Sequence, residues 1–218
     1  QFEFLKSTVN ESIENNLINL TFDIEESQKF YVEKINIFGN NVTREDVIRN
    51  NLIVDEGDPF NELLQTKSVN NLKSLNFFSK VDTEIINSEN PNKKIINITV
   101  EEKPTGEIMA GAGVGTTGGT LAFGVSENNF LGRGIEFSSD LSVSSETLKG
   151  LISINNPNYK GSNRSLNTSM ESTITDRLKD FGYKSNKTGF SLASGFEFYD
   201  DLYWNTGVST YVEKLETD

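Results

Sequence analysis

The chain has no cysteine and no histidine, and only one tryptophan and four prolines in 218 residues. Without thiolate or imidazole it lacks the usual ligands of zinc, haem and iron–sulfur sites, any disulfide framework, and any Ser/His or Cys/His nucleophile pair. No catalytic residue, metal or cofactor is expected. It also lacks a basic run: 32 acids against 20 bases give a net charge of −12. Nucleic-acid affinity comes largely from clustered Lys and Arg, so no nucleic-acid partner is expected. No stretch approaches the roughly 18 apolar residues of a membrane-spanning helix, and no basic-then-apolar leader opens the chain. A helical membrane protein is excluded; a β-barrel is not.

Glycine is almost missing from one part of the chain. Residues 1–104 hold two glycines, Gly39 and Gly57, whereas residues 105–218 hold fifteen. Charge does not separate the parts: 18 acids stand against 11 bases in the first and 14 against 9 in the second. The change of texture at Pro104 predicts two regions. In the first, Ile18-Asn-Leu-Thr-Phe22 followed by Glu25-Glu26 returns as Ile96-Asn-Ile-Thr-Val100 followed by Glu101-Glu102. Both copies alternate apolar and polar residues and read as half-buried strands closing similar modules. Between them, Tyr31–Phe38 reads as a strand stopped by Gly39-Asn40-Asn41. Thr43 offers an N-cap to a short helix through Val47, Ile48 and Leu52, with Glu45 and Asp46 in its first turn. Asn61 caps a second helix whose Leu63, Leu64, Val69, Leu72 and Leu75 fit one face. Two strands follow, Ser79–Ile86 and Lys94–Glu102, so the order is β-α-α-β-β. Its expected core is Ile35, Ile37, Val47, Leu63, Leu72 and Leu75.

After Gly106 strict alternation takes over and about seven strands can be placed. Within their strands, Phe137, Leu141, Val143, Leu166, Met170, Phe196 and Val208 take the alternate positions expected to face lipid. Ser138, Asp140, Asn167, Glu171 and Glu197 take the intervening positions, expected to face the lumen. Aromatics gather near strand ends, as at a membrane interface. The connections at 128–134, 155–159 and 199–201 are expected at one end. Those at 116–119, 144–146 and a longer polar loop, 175–186, are expected at the other. A soluble sandwich would alternate too, so alternation leaves both open. Gly113-x-Gly115-x-x-Gly118 matches the dinucleotide fingerprint, but that motif needs a helix from its third glycine. The strand-like Gly119–Gly124 follows instead, leaving a nucleotide-binding enzyme as a remote alternative. Acid pairs such as Glu101-Glu102 and Asp200-Asp201 read as solvated strand ends, because strand neighbours point to opposite faces.

Several motifs carry a family resemblance. Ile37-Phe-Gly39-Asn40 before Thr43, then Gly57-x-Pro59-Phe60, then Leu72-x-x-Leu75-x-Phe77-Phe78 resemble a POTRA module, a periplasmic chaperone-like unit placed before outer-membrane barrels. The junction Val100-Glu-Glu-Lys-Pro104-Thr-Gly106 running into Gly111-x-Gly113-x-Gly115, and the later Asn129-Phe-Leu-Gly132-Arg-Gly134, resemble the BamA family, outer-membrane assembly factors. Translocation and two-partner secretion pores share this layout and remain the alternative. The resemblance implies an α+β POTRA module (β-α-α-β-β) at 30–104, the tail of a preceding POTRA at 1–29, and the first strands of an incomplete transmembrane β-barrel at 105–218. It implies insertion of barrel proteins into the bacterial outer membrane, with the POTRA in the periplasm. The partners implied are unfolded outer-membrane proteins, outer-membrane lipoproteins of an assembly complex, and the lipid bilayer. Two edges are expected to pair with clients. One is a gate strand of Glu107, Ile108, Met109, Ala110, Gly111, Ala112, Gly113, Val114 and Gly115, where glycine weakens pairing. The other is the POTRA edge of Lys80, Val81, Asp82, Thr83, Glu84, Ile85 and Ile86.

Overall fold

A computed structural model describes residues 5–14, 17–26, 29–115, 118–199 and 202–217; Thr116-Thr117 and Asp200-Asp201 lie outside the described residues. The chain divides into two compact units, one of Gln1–Asn40 with Asn51–Glu101 and one of Asn41–Asn50 with Glu102–Asp218.

In the first unit, β1 (Leu5–Glu14) and β2 (Leu17–Glu26) form an antiparallel hairpin. A separate sheet runs β3 (Tyr31–Phe38), β5 (Lys93–Glu102, whose last residue belongs with the other unit), β4 (Phe78–Asn87). β5 takes the centre because its alternate Ile96, Ile98 and Val100 are all buried. β3 lies parallel to it, with Ile35 opposite Ile96 and Ile37 opposite Ile98. β4 is left on an edge. Helix α2 (Glu62–Ser74) starts where expected, since Asn61 Oδ1 accepts the Leu63 and Leu64 amides at 2.8 and 3.1 Å. The face it buries is Gln65, Ser68 and Leu72. Leu63 is therefore not in the core; it is 71% exposed. It stands nine residues before Leu72, about half a turn away at 100° per residue, and so points outward. Ile37, Val47 and Leu75 are half-buried, while Val54, Phe77, Phe78 and Val81 are core residues that the periodicity did not single out.

The second unit is a seven-stranded antiparallel sheet in sequence order: β6 (Gly106–Gly115), β7 (Gly118–Glu127), β8 (Glu136–Ser144), β9 (Thr147–Asn156), β10 (Arg164–Arg177), β11 (Tyr183–Tyr199) and β12 (Leu202–Thr217). Directly opposed residues of antiparallel strands share a face. The register Ile108↔Val125, Phe123↔Leu141, Val143↔Leu148, Ile152↔Met170, Met170↔Phe190, Leu192↔Val208 and Phe196↔Trp204 therefore makes one continuous apolar face. The other face carries Ser126↔Ser138 and Ser142↔Lys149, a Ser169–Ser191 hydroxyl contact of 2.6 Å and a Lys149–Glu171 ion pair of 3.1 Å. Most of 175–186 is not loop. β10 and β11 run on to Arg177 and from Tyr183, joined only by the short helix α3 (Leu178–Phe181) and Gly182. Cross-strand charge holds this extension, with Lys184 on Asp176 at 3.4 Å and Arg177 on Glu146 at 2.6 Å.

Candidate functional site

The strand expected to act as a gate is β6, which lies at one edge of the sheet among the described residues. It pairs with β7 from Gly106↔Glu127 to Gly115↔Gly118, and among the described residues its other edge has no partner. Every residue from Glu107 to Gly115 is exposed. Gly111, Gly113 and Gly115 share the polar face with Met109, and a Cβ added at any of the three would meet nothing within 4 Å. Beside Met109 and Gly111 is a hollow of about 360 Å³, lined also by Ala122, Gly124, Asp140 and Leu151. No helix follows Gly118, because β7 begins there. The phosphate-cradling geometry of a dinucleotide site is missing from this glycine run.

The base of β6 is pinned. Thr105 Oγ1 donates to Glu127, whose carboxylate also accepts the Asn129 amide at 2.7 Å. Asn129 is buried and works twice: its Oδ1 accepts the Gly134 amide at 2.8 Å, and its Nδ2 donates to Thr43 Oγ1 at 2.8 Å. Arg44 N donates to Gly132 O at 2.8 Å, and a Cβ at Gly132 would lie 1.9 Å from Val42 O. Only glycine permits that approach. Just before β6, the Glu102 carboxylate accepts three successive amides, Asn41 at 2.9 Å, Val42 at 2.8 Å and Thr43 at 2.6 Å. Burial pushes this carboxyl up, but the Thr43, Val42 and Asn41 donors outweigh it and hold the group below the usual carboxylate range.

Two expectations change here. Glu102 is not a solvated strand end but the acceptor that orders 41–43. Thr43 does not cap α1 (Glu45–Arg49); the cap position is Arg44, whose side chain makes no capping bond to the helix amides and pairs instead with the Asp46 carboxylate at 2.9 Å. Thr43 is instead committed to Glu102 and Asn129. The contacts among Glu102, Thr43, Asn129 and Gly132 were not legible in the sequence, since they join positions 59 to 90 residues apart and no local period marks them. On the β4 edge, Lys80, Asp82, Thr83, Glu84, Ile85 and Ile86 are exposed, whereas Val81 is buried in the core. Among the described residues no group of three or more acids is placed to hold a metal ion.

Comparison with known proteins fits this arrangement. The POTRA family model, described as surface antigen variable number repeat, matches residues 30–103. The outer membrane protein assembly factor BamA of Neisseria meningitidis is 31% identical over 155 residues, covering 70% of this chain and 19% of that protein. BamA of Nitratidesulfovibrio vulgaris is 29% identical over 160 residues, covering 72% of this chain and 20% of that protein. The chain thus spans about a fifth of these relatives' length. The crystal structure of Haemophilus ducreyi BamA lacking POTRA domains 1–3 superposes over 98% of this chain and 41% of that one, with a TM-score of 0.79 at 22% identity. CdiB from Acinetobacter baumannii shares the fold at a TM-score of 0.57 and 16% identity. Residues 30–103 are accordingly a periplasmic POTRA domain, the seven strands after it are those of an outer-membrane β-barrel, and the chain belongs to the BamA family.

Proposed function

We propose that the protein assembles other β-barrel proteins into the outer membrane by offering β6 as a template to a client strand. The observation that carries this reading is the glycine run of β6, which strips one face of side chains at Gly111, Gly113 and Gly115 on a strand whose base is held by Thr105 and Glu127. Glycine lowers strand propensity, so pairing along this edge is weak and exchangeable. Unpaired amides and carbonyls at membrane depth cost several kcal/mol each until a partner satisfies them. An incoming strand supplies those bonds, and no nucleotide is required. A disulfide between Ala110→Cys and the final barrel strand of the full-length protein should block client insertion, with activity restored on reduction. Full activity in the locked state would overturn the gate.

The β4 edge, from Lys80 to Ile86, is proposed as a second pairing site that holds extended clients in the periplasm by strand addition. Thr83→Pro should lower peptide crosslinking there; unchanged crosslinking would refute it. Unfolded outer-membrane proteins are then the clients and outer-membrane lipoproteins the companions. The β1–β2 hairpin, whose β2 sequence is repeated in β5, is read as the end of a preceding POTRA.

A further inference from the structure

The turn that receives Val42–Arg44 occurs twice. Asn129-Phe-Leu-Gly-Arg-Gly134 and Asn158-Tyr-Lys-Gly-Ser-Asn163 lie 29 residues apart. Their backbones coincide: Leu131 has φ 56 and ψ 27 against 54 and 31 for Lys160, and Arg133 has −101 and 6 against −97 and 6 for Ser162. Gly132 and Gly161 have φ of 68 and 67. The hydrogen bonds coincide too. Asn158 Oδ1 accepts the Asn163 amide at 2.9 Å as Asn129 Oδ1 accepts that of Gly134, and the Asn158 amide donates to Asn156 Oδ1 at 3.2 Å as that of Asn129 donates to Glu127.

Occupancy separates the copies. In the first, Gly132 and Gly134 are buried beneath residues 42–44. In the second, Gly161 and Asn163 are exposed, and a Cβ at Gly161 would meet nothing within 4 Å. Among the described residues, Asn158 Nδ2 and Gly161 O have no partner. Of the three left-handed positions, the second copy fills two with side chains, Lys160 and Asn163. It keeps glycine only at Gly161, the equivalent of the position where the first copy admits a carbonyl. Glycine there is not needed to make the turn, since Lys and Asn make the same φ beside it. Lys160 lies within the turn and Arg164 just after it, and among the described residues neither has an acidic partner; Arg164 lies over the Phe196 ring at 5.4 Å. A cleft of about 620 Å³ opens alongside, lined by Ser162, Asn163, Arg164, Phe196, Tyr203 and Asn205 among others.

We propose that this second turn is a docking site for a loop of another protein on the periplasmic side. The loop has the chemistry of this chain's own 42–46: a backbone carbonyl over Gly161, a hydroxyl accepting from Asn158 Nδ2, an amide donated to Gly161 O, and acids just beyond. Thr43 followed by Glu45 and Asp46 is the pattern that the first turn already accepts, and the acids suit Lys160 and Arg164. The site is independent of the gate.

The test uses the full-length protein in lipid nanodiscs and a fluorescent peptide of residues 40–47, with binding followed by anisotropy. The first turn is occupied by the chain itself, so the peptide should bind saturably to the second. Gly161→Asn keeps the left-handed backbone but fills the approach, and Asn158→Asp keeps the turn-closing acceptor but removes the donor. Each should weaken binding by about tenfold or more, the scale of one lost hydrogen bond at a desolvated contact. A peptide carrying Thr43→Val should lose as much on the wild type and nothing further on Asn158→Asp. Absence of saturable binding, or binding that both substitutions leave unchanged, would overturn the proposal. So would self-association of the protein that Gly161→Asn abolishes, since the occupant would then be a second copy.

Discussion

Ile96 and Ile108 stand twelve positions apart in strands of similar length, yet the first is 0% exposed and the second 85%. In the POTRA sheet the alternating apolar residues turn inward, with Ile96 and Ile98 both at 0% exposure. In the seven-stranded sheet the same residue types turn outward together over every strand, up to 94% at Val114. Identical side chains are stable in opposite places because the two sheets face different solvents. One excludes water with its own core, whereas the other presents its apolar face to lipid and its hydroxyls and charges to a watery interior.

That contrast can be broken from either side. In the POTRA, Leu72→Ala should cost about 2–5 kcal/mol as a buried cavity, against less than about 0.5 kcal/mol for Leu63→Ala. Hydrogen-exchange stability of β5 amides in the two variants distinguishes them. In the barrel strands, Leu141→Arg should cost about 2–4 kcal/mol and Ser142→Arg much less, read by denaturant unfolding of the full-length protein in bilayers. Equal effects would mean that the outward face does not meet lipid. The two regions meet in sequence at Glu102, where Glu102→Gln should cost about 1–3 kcal/mol of local stability and speed exchange of the Asn41, Val42 and Thr43 amides. Because the donors hold this carboxyl below its ordinary range, its contribution is complete above the ordinary carboxylate pKa of about 4.3 and disappears as pH falls through the lowered value. The Gln variant should show no such acid step. The smallest expected effect is a gain. Gln65 is 4% exposed, and among the described residues its Nε2 finds no acceptor, so Gln65→Met should stabilise α2 by about 1 kcal/mol.

What was legible in the sequence was whatever has a local period. Alternation from Ile108 to Val212 separates the two faces that the register assembles, and Asn61 before Leu63-Leu64 marks the start of α2. Thr43 shows the limit. A Thr ahead of Glu45-Asp46 looks like a helix cap, but a carboxylate and a carboxamide 59 and 86 residues away compete for its amide and hydroxyl and win. Leu63 shows another, since an apolar residue at a helix start joins the core only if it falls in phase with the residues that do. The paired turns were hidden because only Asn and Gly recur unchanged, while Phe/Tyr, Leu/Lys, Arg/Ser and Gly/Asn differ between them.

The repeated turn also makes the sheet extensible. Residues 129–157 run from the first residue of one turn to the residue before the same point in the next, taking in all of β8 and β9. A duplicate of that cassette spliced between Pro157 and Asn158 would enter and leave on the same backbone dihedrals, so every downstream side chain would keep its face. Two added strands at about 4.8 Å each widen the wall by about 10 Å. Barrel circumference in this architecture is thus a quantity that can be dialled in steps of 29 residues, with the phase of the pleat carried across each step by one asparagine and one glycine.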